Sequence, residues 1–405
     1  MRAFTEHLFE AVKKSSGRNV HLEHIEDEIL NSGYAGFGRA IKALRGVVEA
    51  LTANAPSAYD ITVKWDGAPA IICGIDPQSG RFFVGTKSVF NAISKLNFTN
   101  SDIDTNHPQE GLNLKLKLAL KHFSKLGIRG VLQGDMLFYS ESKQRELIDG
   151  KSYLTFQANT IKYAVDPKSD LGKRMTAAKI GIVFHTAYEG ESIATMTARF
   201  NPDISYMKKV NDVWFDNATM KFANGSGLFS ASDRSTIENS IASLTKTAAD
   251  LRVVLNGIAK NEGVKIDMKT YINGLVRGGV ATSHADVNQL LQFMLDRAQG
   301  KRKVASTKTT PSIDWVRTNR NQLSRVFALH NALAQLKLTI LQKMASTASA
   351  QTGVGTFIKD KSGYRVTTPE GFVAIDRLSN KAVKLVDRLD FSRSNLTTEK
   401  TWKKP

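Results

Sequence analysis

Cysteine is nearly missing from this sequence. Cys73 stands alone in 405 residues. That excludes an intrachain disulfide and a cysteine-rich zinc site, and it fits a reducing compartment. Long apolar runs are missing too. No stretch of about 18 apolar residues occurs, so no transmembrane helix and no membrane partner are expected. The opening M-R-A-F-T-E-H-L-F-E-A-V-K-K is amphipathic and carries two glutamates, unlike the apolar core of a secretory signal. There is no internal repeat and no long low-complexity tract. N-G-L-V-R-G-G lacks the Gly-Lys-Ser/Thr ending of a phosphate loop, and no nucleophile elbow is present. Acid is scarce: 38 Asp and Glu face 56 Lys and Arg, a formal net charge of +18. A field of that sign attracts polyanions, chiefly nucleic acid or nucleotides.

What is present changes character along the chain. Residues 1–57 read as a helical segment. Phe4, Leu8, Phe9 and Val12 fall at helical spacing, as do Ile41, Leu44, Val48 and Leu51. Residues 58–202 alternate short β-rich runs with turns: I-T-V-K-W, A-I-I-C-G-I, R-F-F-V-G-T, G-V-L-Q-G-D-M-L-F and I-G-I-V-F-H-T-A-Y. D-P-Q-S-G between the second and third reads as a hairpin connection. One helix is expected over about 110–126. Residues 203–352 are dominated by long helical patterns, with Ser232, Asp233 and Ser283 near helix starts as candidate caps. β character returns over 353–405 in G-T-F-I-K-D-K-S-G-Y-R-V, E-G-F-V-A-I and A-V-K-L-V. That last segment is too short to bury a core alone, so it should rejoin the first sheet. The expected class is α+β with mostly antiparallel sheets, an N-terminal helical segment and a large basic helical insertion.

Several charges stand where a strand prefers apolar residues. Lys64 sits between Val63 and Trp65, close to Ile61 and Ile71, just before the tight turn Asp66-Gly67. Desolvation there lowers a lysine pKa, and a nearby cation lowers it further. A neutral lysine amine is a nucleophile; the bland alternative is a snorkelling side chain before an ordinary turn. Asp135 follows a glycine within a strand, Glu370 precedes one at a strand start, and Lys381 and Lys384 lie near or in the last strand. Clustered departures of this kind mark sites. Two carboxylates suit Mg²⁺ or Mn²⁺ together with substrate phosphates.

In this order the stretches resemble the motifs of the covalent nucleotidyltransferases: polynucleotide ligases and mRNA capping enzymes. K-W-D-G resembles their K-x-D-G, which makes Lys64 the residue that would take AMP from ATP, with Val63, Asp66 and Gly67 as nucleotide contacts. G-T-K-S-V-F supplies Lys87. Q-G-D-M-L-F supplies Asp135 where the family has glutamate. I-G-I-V-F-H-T-A-Y offers Phe184 as the aromatic that stacks on the purine. E-G-F-V makes Glu370 a metal-binding carboxylate beside Asp135, and A-V-K-L-V offers Lys381 and Lys384 for the α-phosphate. The family's last motif spaces its lysines K-x-K, whereas these are three apart, so Lys384 is the better placed. About 150 residues of helical pattern separate Phe184 from Glu370, a gap much wider than usual. Only 21 residues follow Lys384, too few for a C-terminal OB domain, and this points to the RNA-ligase branch.

The resemblance implies a ligase-like core, ATP and Mg²⁺ as cofactors, a lysyl-AMP intermediate, and transfer of AMP to a 5′-phosphate end. The partner would be nucleic acid, RNA before DNA. Lys301, Arg302, Lys303, Lys308, Arg317, Arg320 and Arg325 are the candidates to track its backbone; Trp315 beside them reads as core, with base stacking as the alternative. A compact core with an unusual insertion suggests a viral or phage gene and a cytoplasmic location, the host's if phage-encoded. The alternatives are transfer of the nucleotide to a protein, a small molecule or an RNA cap, and a non-catalytic nucleic-acid-binding protein with a ligase-like shell. His21 and His24 lie one helical turn apart with no visible partners for a metal.

Overall fold

The computed structural model describes residues 23–52, 58–148, 150–219, 228–300, 310–360, 363–366 and 370–389. The first expected helical face, Phe4 to Val12, lies outside them. A 3₁₀ turn at Ile25–Asp27 leads into helix α1, Glu28–Ala50. Its expected apolar face is buried: Ile41, Leu44 and Val48, with Leu51 just beyond. Strands β1 (Tyr59–Lys64), β2 (Ala70–Ile75) and β3 (Phe82–Gly85) follow, then helices α2 (Asn100–Asn106) and α3 (Glu110–Phe123). Next come β4 (Val131–Tyr139), β5 (Lys143–Ile148), β6 (Lys151–Gln157) and β7 (Lys162–Val165), helix α4 (Asp170–Ala177), and β8 (Ile180–Glu189), β9 (Thr197–Phe200) and β10 (Val213–Asn217). The helical block is α5 (Ala231–Asp250), α6 (Arg252–Lys260), α7 (Glu262–Arg277), α8 (Val287–Gly300), α9 (Thr310–Thr318) and α10 (Arg320–Thr352). The chain closes with β11 (Gly355–Asp360), β12 (Gly363–Val366), β13 (Gly371–Asp376) and β14 (Lys381–Val386).

The fold is α+β, and every strand pairing is antiparallel except β8 with β10. The Asp76 carboxylate accepts from the amides of Gln78 and Ser79 and shapes the β2–β3 turn. The C-terminal strands do rejoin the earlier sheets. The first sheet runs β1-β13-β14, the second β10-β8-β4-β2-β3 with β9 on β8, and the third β12-β11-β7-β6-β5. Two helix starts differ from expectation. Ser230, not Ser232, caps α5, in a reciprocal capping box with Asp233. Ser283 lies in a 3₁₀ turn, and Asp286 accepts from the first amides of α8.

The sheets position the site through what covers them. One face of the first sheet, with Ile61, Val63, Phe372 and Leu385, shares a continuous core with α1 and the helical block. One face of the second, with Ile71, Leu132, Ile182 and Phe184, packs on α2 and α3 through Ile103, Leu116 and Phe123. The opposite faces of these two sheets look at each other across a cleft.

A buried ionic cluster fastens the helical block to β14. Glu26 and Asp27 are 0% and 2% exposed. Lys337 of α10 donates to both Glu26 oxygens at 2.9 and 2.8 Å. Arg388, just past β14, donates to Asp27 at 2.7 Å and to Asn273 of α7 at 2.8 Å. The His330 Nε2 lies 2.9 Å from the same Asp27 oxygen. Burial holds the nearby His24 imidazole well below its usual range, hence neutral. His24 therefore belongs to this cluster, while His21 lies outside the described residues.

Candidate active site

Lys64 ends β1, and the β1–β13 register sets it opposite Gly371. Glu370 is thereby delivered to its side chain, with Nζ and Oε1 2.5 Å apart. Gly371 has φ 157°, and a Cβ there would lie 2.3 Å from the Leu385 carbonyl oxygen. Only glycine lets β13 start this close to β14. The Lys64 side chain is 29% exposed and that of Glu370 only 5%. The expected depression of Lys64 is not found. Burial pushes its pKa down, but Glu370, helped by Asp135 and Asp66, outweighs burial and raises it above 10.5. Glu370 is raised too, because burial acts more strongly on the less exposed partner than Lys64 can offset. The depression falls instead on Lys384, through burial and the neighbouring cations Lys64 and Arg388.

The residues after Lys64 are anchored by residues 159–163. Asp66 is 3% exposed. Its carboxylate accepts from Asn159 Nδ2 at 2.7 Å and from the amides of Thr160 and Ile161 at 2.6 and 2.7 Å, and its own amide donates to Tyr163 Oη. Asp66 therefore holds the turn rather than presenting a free carboxylate to a nucleotide. Lys162 pairs with Glu146 at 2.6 Å. Gly67 lets the turn lie against β4: a Cβ would stand 2.7 Å from Asp135 Cβ and 2.8 Å from the Met136 carbonyl oxygen. Gly67→Ala is expected to cost about 1–3 kcal/mol, the usual penalty of overpacking. Urea denaturation measures it, and wild-type stability would show that the turn yields freely.

The facing wall belongs to the second sheet. Ala70, Asp135 and Val183 form one cross-strand row, and all three line the cleft, as do Lys64, Trp65, Lys87, Val373 and Ile375. Lys384 lies on the same face of the first sheet, being the register partner of Val373, which pairs with Thr62. Lys381 is three positions away, hence on the opposite face, and is exposed. Lys384, not Lys381, shares the cleft face of the first sheet, though neither lines the cavity itself.

Phe184 is also displaced from its expected role. It is fully buried and packs edge-on to Phe123, with ring centroids 6.3 Å apart, on the far side of the sheet. It follows Val183, which shares the cleft row with Asp135, and a β-bulge comes directly after it. Gly134 pairs with Phe184 and Gln133 with Thr186, so His185 is the extra residue. Bulges re-aim side chains; this one turns His185, Thr186 and Tyr188 to the cleft. His185 Nε2 is 3.7 Å from Asp135, and its Nδ1 is 2.8 Å from Thr186 Oγ1. Tyr188 Oη donates to Gln133 Oε1 at 2.5 Å. Sequence reasoning missed His185, Thr186, Tyr188, Gln133 and Phe200; the cue for the strand residues was a histidine breaking an apolar run.

The cleft encloses about 280 Å³, a size for one small molecule rather than a polymer. Among the described residues no group of three or more His, Cys, Asp or Glu could hold a metal. Asp135 lines the cleft, and Glu370, paired with Lys64, lies near enough to Asp135 to feel its charge.

The basic helices divide. Lys301, Arg302, Lys303 and Lys308 lie outside the described residues. Arg317 pairs with Asp314 at 3.1 Å and Arg325 with Asp250 at 3.2 Å, and Arg320 is exposed. Trp315 packs against the main core, over Gly257. Among the described residues no helix is long and apolar enough to cross a membrane.

An α+β chain with a lysine–carboxylate pair in a small cleft between two sheets is thus the class that the fold and site define. By sequence it belongs to the family described as Family of unknown function (DUF6267), whose model matches residues 19–400. No curated protein and no solved structure matches the chain.

Proposed function

We propose that the cleft is the active site of an ATP-dependent covalent nucleotidyltransferase, a polynucleotide ligase most similar to the RNA-ligase branch. The observation that carries this reading is convergence. Lys64, Lys87 and Asp135 line one cleft, Glu370 is paired with Lys64, and Lys384 lies on the cleft face of the first sheet; their chain order resembles that of the ligase motifs.

In the first step Lys64 Nζ, as the free amine, attacks the α-phosphorus of ATP. An N–P bond forms, the P–O bond to pyrophosphate breaks, and pyrophosphate leaves with the electron pair. The amine gives up a proton, and Glu370 Oε1 at 2.5 Å is positioned to receive it. In the second step an oxygen of a 5′-phosphate end attacks the same phosphorus and the lysine leaves. A 3′-hydroxyl then displaces AMP, leaving a phosphodiester. Lys384 and Lys87 supply fixed positive charge to the phosphates. Bound Mg²⁺, held by Asp135 and Glu370, would supply further neutralisation of phosphate charge. Val373, Ile375 and Phe200 give the base an apolar bed in place of Phe184, with Gln133 and Thr186 as hydrogen-bonding partners.

A second reading has one specific observation in its favour. The Lys64–Glu370 ion pair keeps the would-be nucleophile protonated, as a nucleotide-binding shell without chemistry would. Incubation with α-labelled ATP and Mg²⁺, then denaturing electrophoresis, separates the two. Label on the denatured chain that survives alkali and is released by acid is expected of an N–P bond. No label from ATP, GTP or NAD would overturn the enzymatic reading. Label that moves to a protein or small molecule, but not to a nucleic-acid end, would reassign the acceptor.

A further inference from the structure

We infer that the chain docks a nucleic-acid backbone on a second surface, at the start of β10, away from the helical insertion. Six exposed cations gather there: Lys125, Arg129, Arg174, Lys179, Lys208 and Lys209. Asp212 lies among them, 2.6 Å from Lys125 and 3.3 Å from Lys179. Hydrogen bonding to these lysines, Lys125 foremost, holds its carboxyl at about 2. Lys208 lies over Gly127, its amide bonded to the Leu126 carbonyl oxygen. Arg129 stacks on the Tyr206 ring at 5.1 Å. Arg174 and Lys209 flank a shallow depression floored by Val213, Trp214 and Phe215.

Charge complementarity selects the occupant. On the helical block Arg317 and Arg325 each have an acid of their own, whereas here, of the six cations, Asp212 pairs with Lys125 and Lys179 and the other four are exposed. Such an excess suits a run of phosphates. A membrane-binding surface would add exposed apolar side chains to the basic ones. The exposed large hydrophobics of the described residues, such as Ile93, Leu147, Val253 and Leu378, are not in this patch. Tyr206 and Phe215 at its margin, both partly exposed, offer rings for unpaired bases, so single-stranded nucleic acid is favoured.

The patch also has a route to the cleft. β10 begins beside Asp212 and ends at Asn217. The next residue, Ala218, lines the cleft and accepts the Val63 amide. Six residues of extended chain span roughly 20 Å. A strand held on the patch can therefore present its end to Lys64. This extends the proposed function but rests on charge placement, not on the chemistry of Lys64.

The test is anisotropy of a short fluorescein-labelled single-stranded RNA, titrated at several salt concentrations. The variants are Arg174→Glu/Lys208→Glu/Lys209→Glu and, for comparison, Arg317→Glu/Arg320→Glu/Arg325→Glu. The patch variant is expected to bind at least about tenfold more weakly at low salt, with a log-log salt slope smaller by about 2, roughly 0.7 per lost contact. Wild-type affinity and slope in the patch variant would overturn the proposal. So would loss of binding confined to the helical variant, or wild-type protein that binds anionic vesicles but not RNA. Nucleotide labelling is read in parallel. The expected loss of RNA binding with no label in any protein would leave the patch standing and remove the ligase reading. Loss of RNA binding with label intact supports both and shows that the variant is folded.

Discussion

Lys64→Ala is expected to remove all nucleotide label from the chain, and Glu370→Gln to drive two readouts in opposite directions. Both follow from the 2.5 Å pair at the end of β1. An amine with an ordinary lysine pKa of about 10.4 is free in about one molecule in a thousand at pH 7.5. Glu370 makes that fraction smaller still, because Lys64 is raised. Removing the Glu370 charge leaves burial, the largest influence on Lys64, opposed by the weaker pull of Asp135 and Asp66, so its pKa should fall. Lys64 in Glu370→Gln should therefore react with an amine-directed reagent at lower pH than in wild type, as read by peptide mass spectrometry across a pH series. Adduct formation from ATP should nevertheless slow by about 10²-fold or more, since a proton acceptor and phosphate-side carboxylate are gone. An unchanged reactivity profile would show that the pair does not set the state of Lys64. Label persisting in Lys64→Ala would move the nucleophile elsewhere.

Lys337→Ala is expected to be the most damaging substitution far from the cleft, at about 3–5 kcal/mol. It leaves Glu26, fully buried, facing Asp27 with only Arg388, 3.6 Å away, and neutral His24 nearby. The paired replacement Lys337→Met/Glu26→Gln removes both charges and should cost less than the single one. Urea denaturation at neutral pH decides; a loss below about 1 kcal/mol for Lys337→Ala would sink the account. The pH dependence has a definite sign. Burial pushes Glu26 up, but Lys337, with Arg388, holds it at about 2, below its ordinary 4.5. A depressed carboxyl stabilises the fold above its unfolded value, and that stability is lost as pH falls toward the folded value. Wild type should weaken between about pH 5 and 2, and the Lys337→Ala curve should be flatter there.

Legibility followed what each signal depends on. Lys64, Asp135, Glu370 and Lys384 stood out because a charge inside a strand pattern is visible without knowing the partner. The return of β13 to β1 was visible because a short β segment cannot form its own core. Phe184 was carried by its motif; regular alternation after Val183, the cleft partner of Asp135, already sets it on the other face, and the extra residue at His185 brings Thr186 and Tyr188 to the cleft instead. Lys381 was carried along by its motif, although an odd spacing already sets it on the other face. Asp66 resembled a ligand because its partners, Asn159, Thr160 and Ile161, are about ninety residues away and mostly backbone. The ionic cluster was hidden for the same reason. Glu26 and Lys337 look like ordinary surface charges until the fold brings them together.

The partner of β1 in the first sheet has a consequence for synthesis. Lys64 and Gly371 are register neighbours but about three hundred residues apart in the chain. While the ribosome is still making the helical block, Lys64 exists without Glu370, and the β13-facing edge of β1 has nothing to pair with. Contacts of such separation form late and slowly. The nascent protein therefore carries an open strand edge until β13 has been made, the kind of surface that chaperones cover. Lys64 acquires its carboxylate only once residue 370 has been made, so a chain stopped before β13 has no Lys64–Glu370 pair.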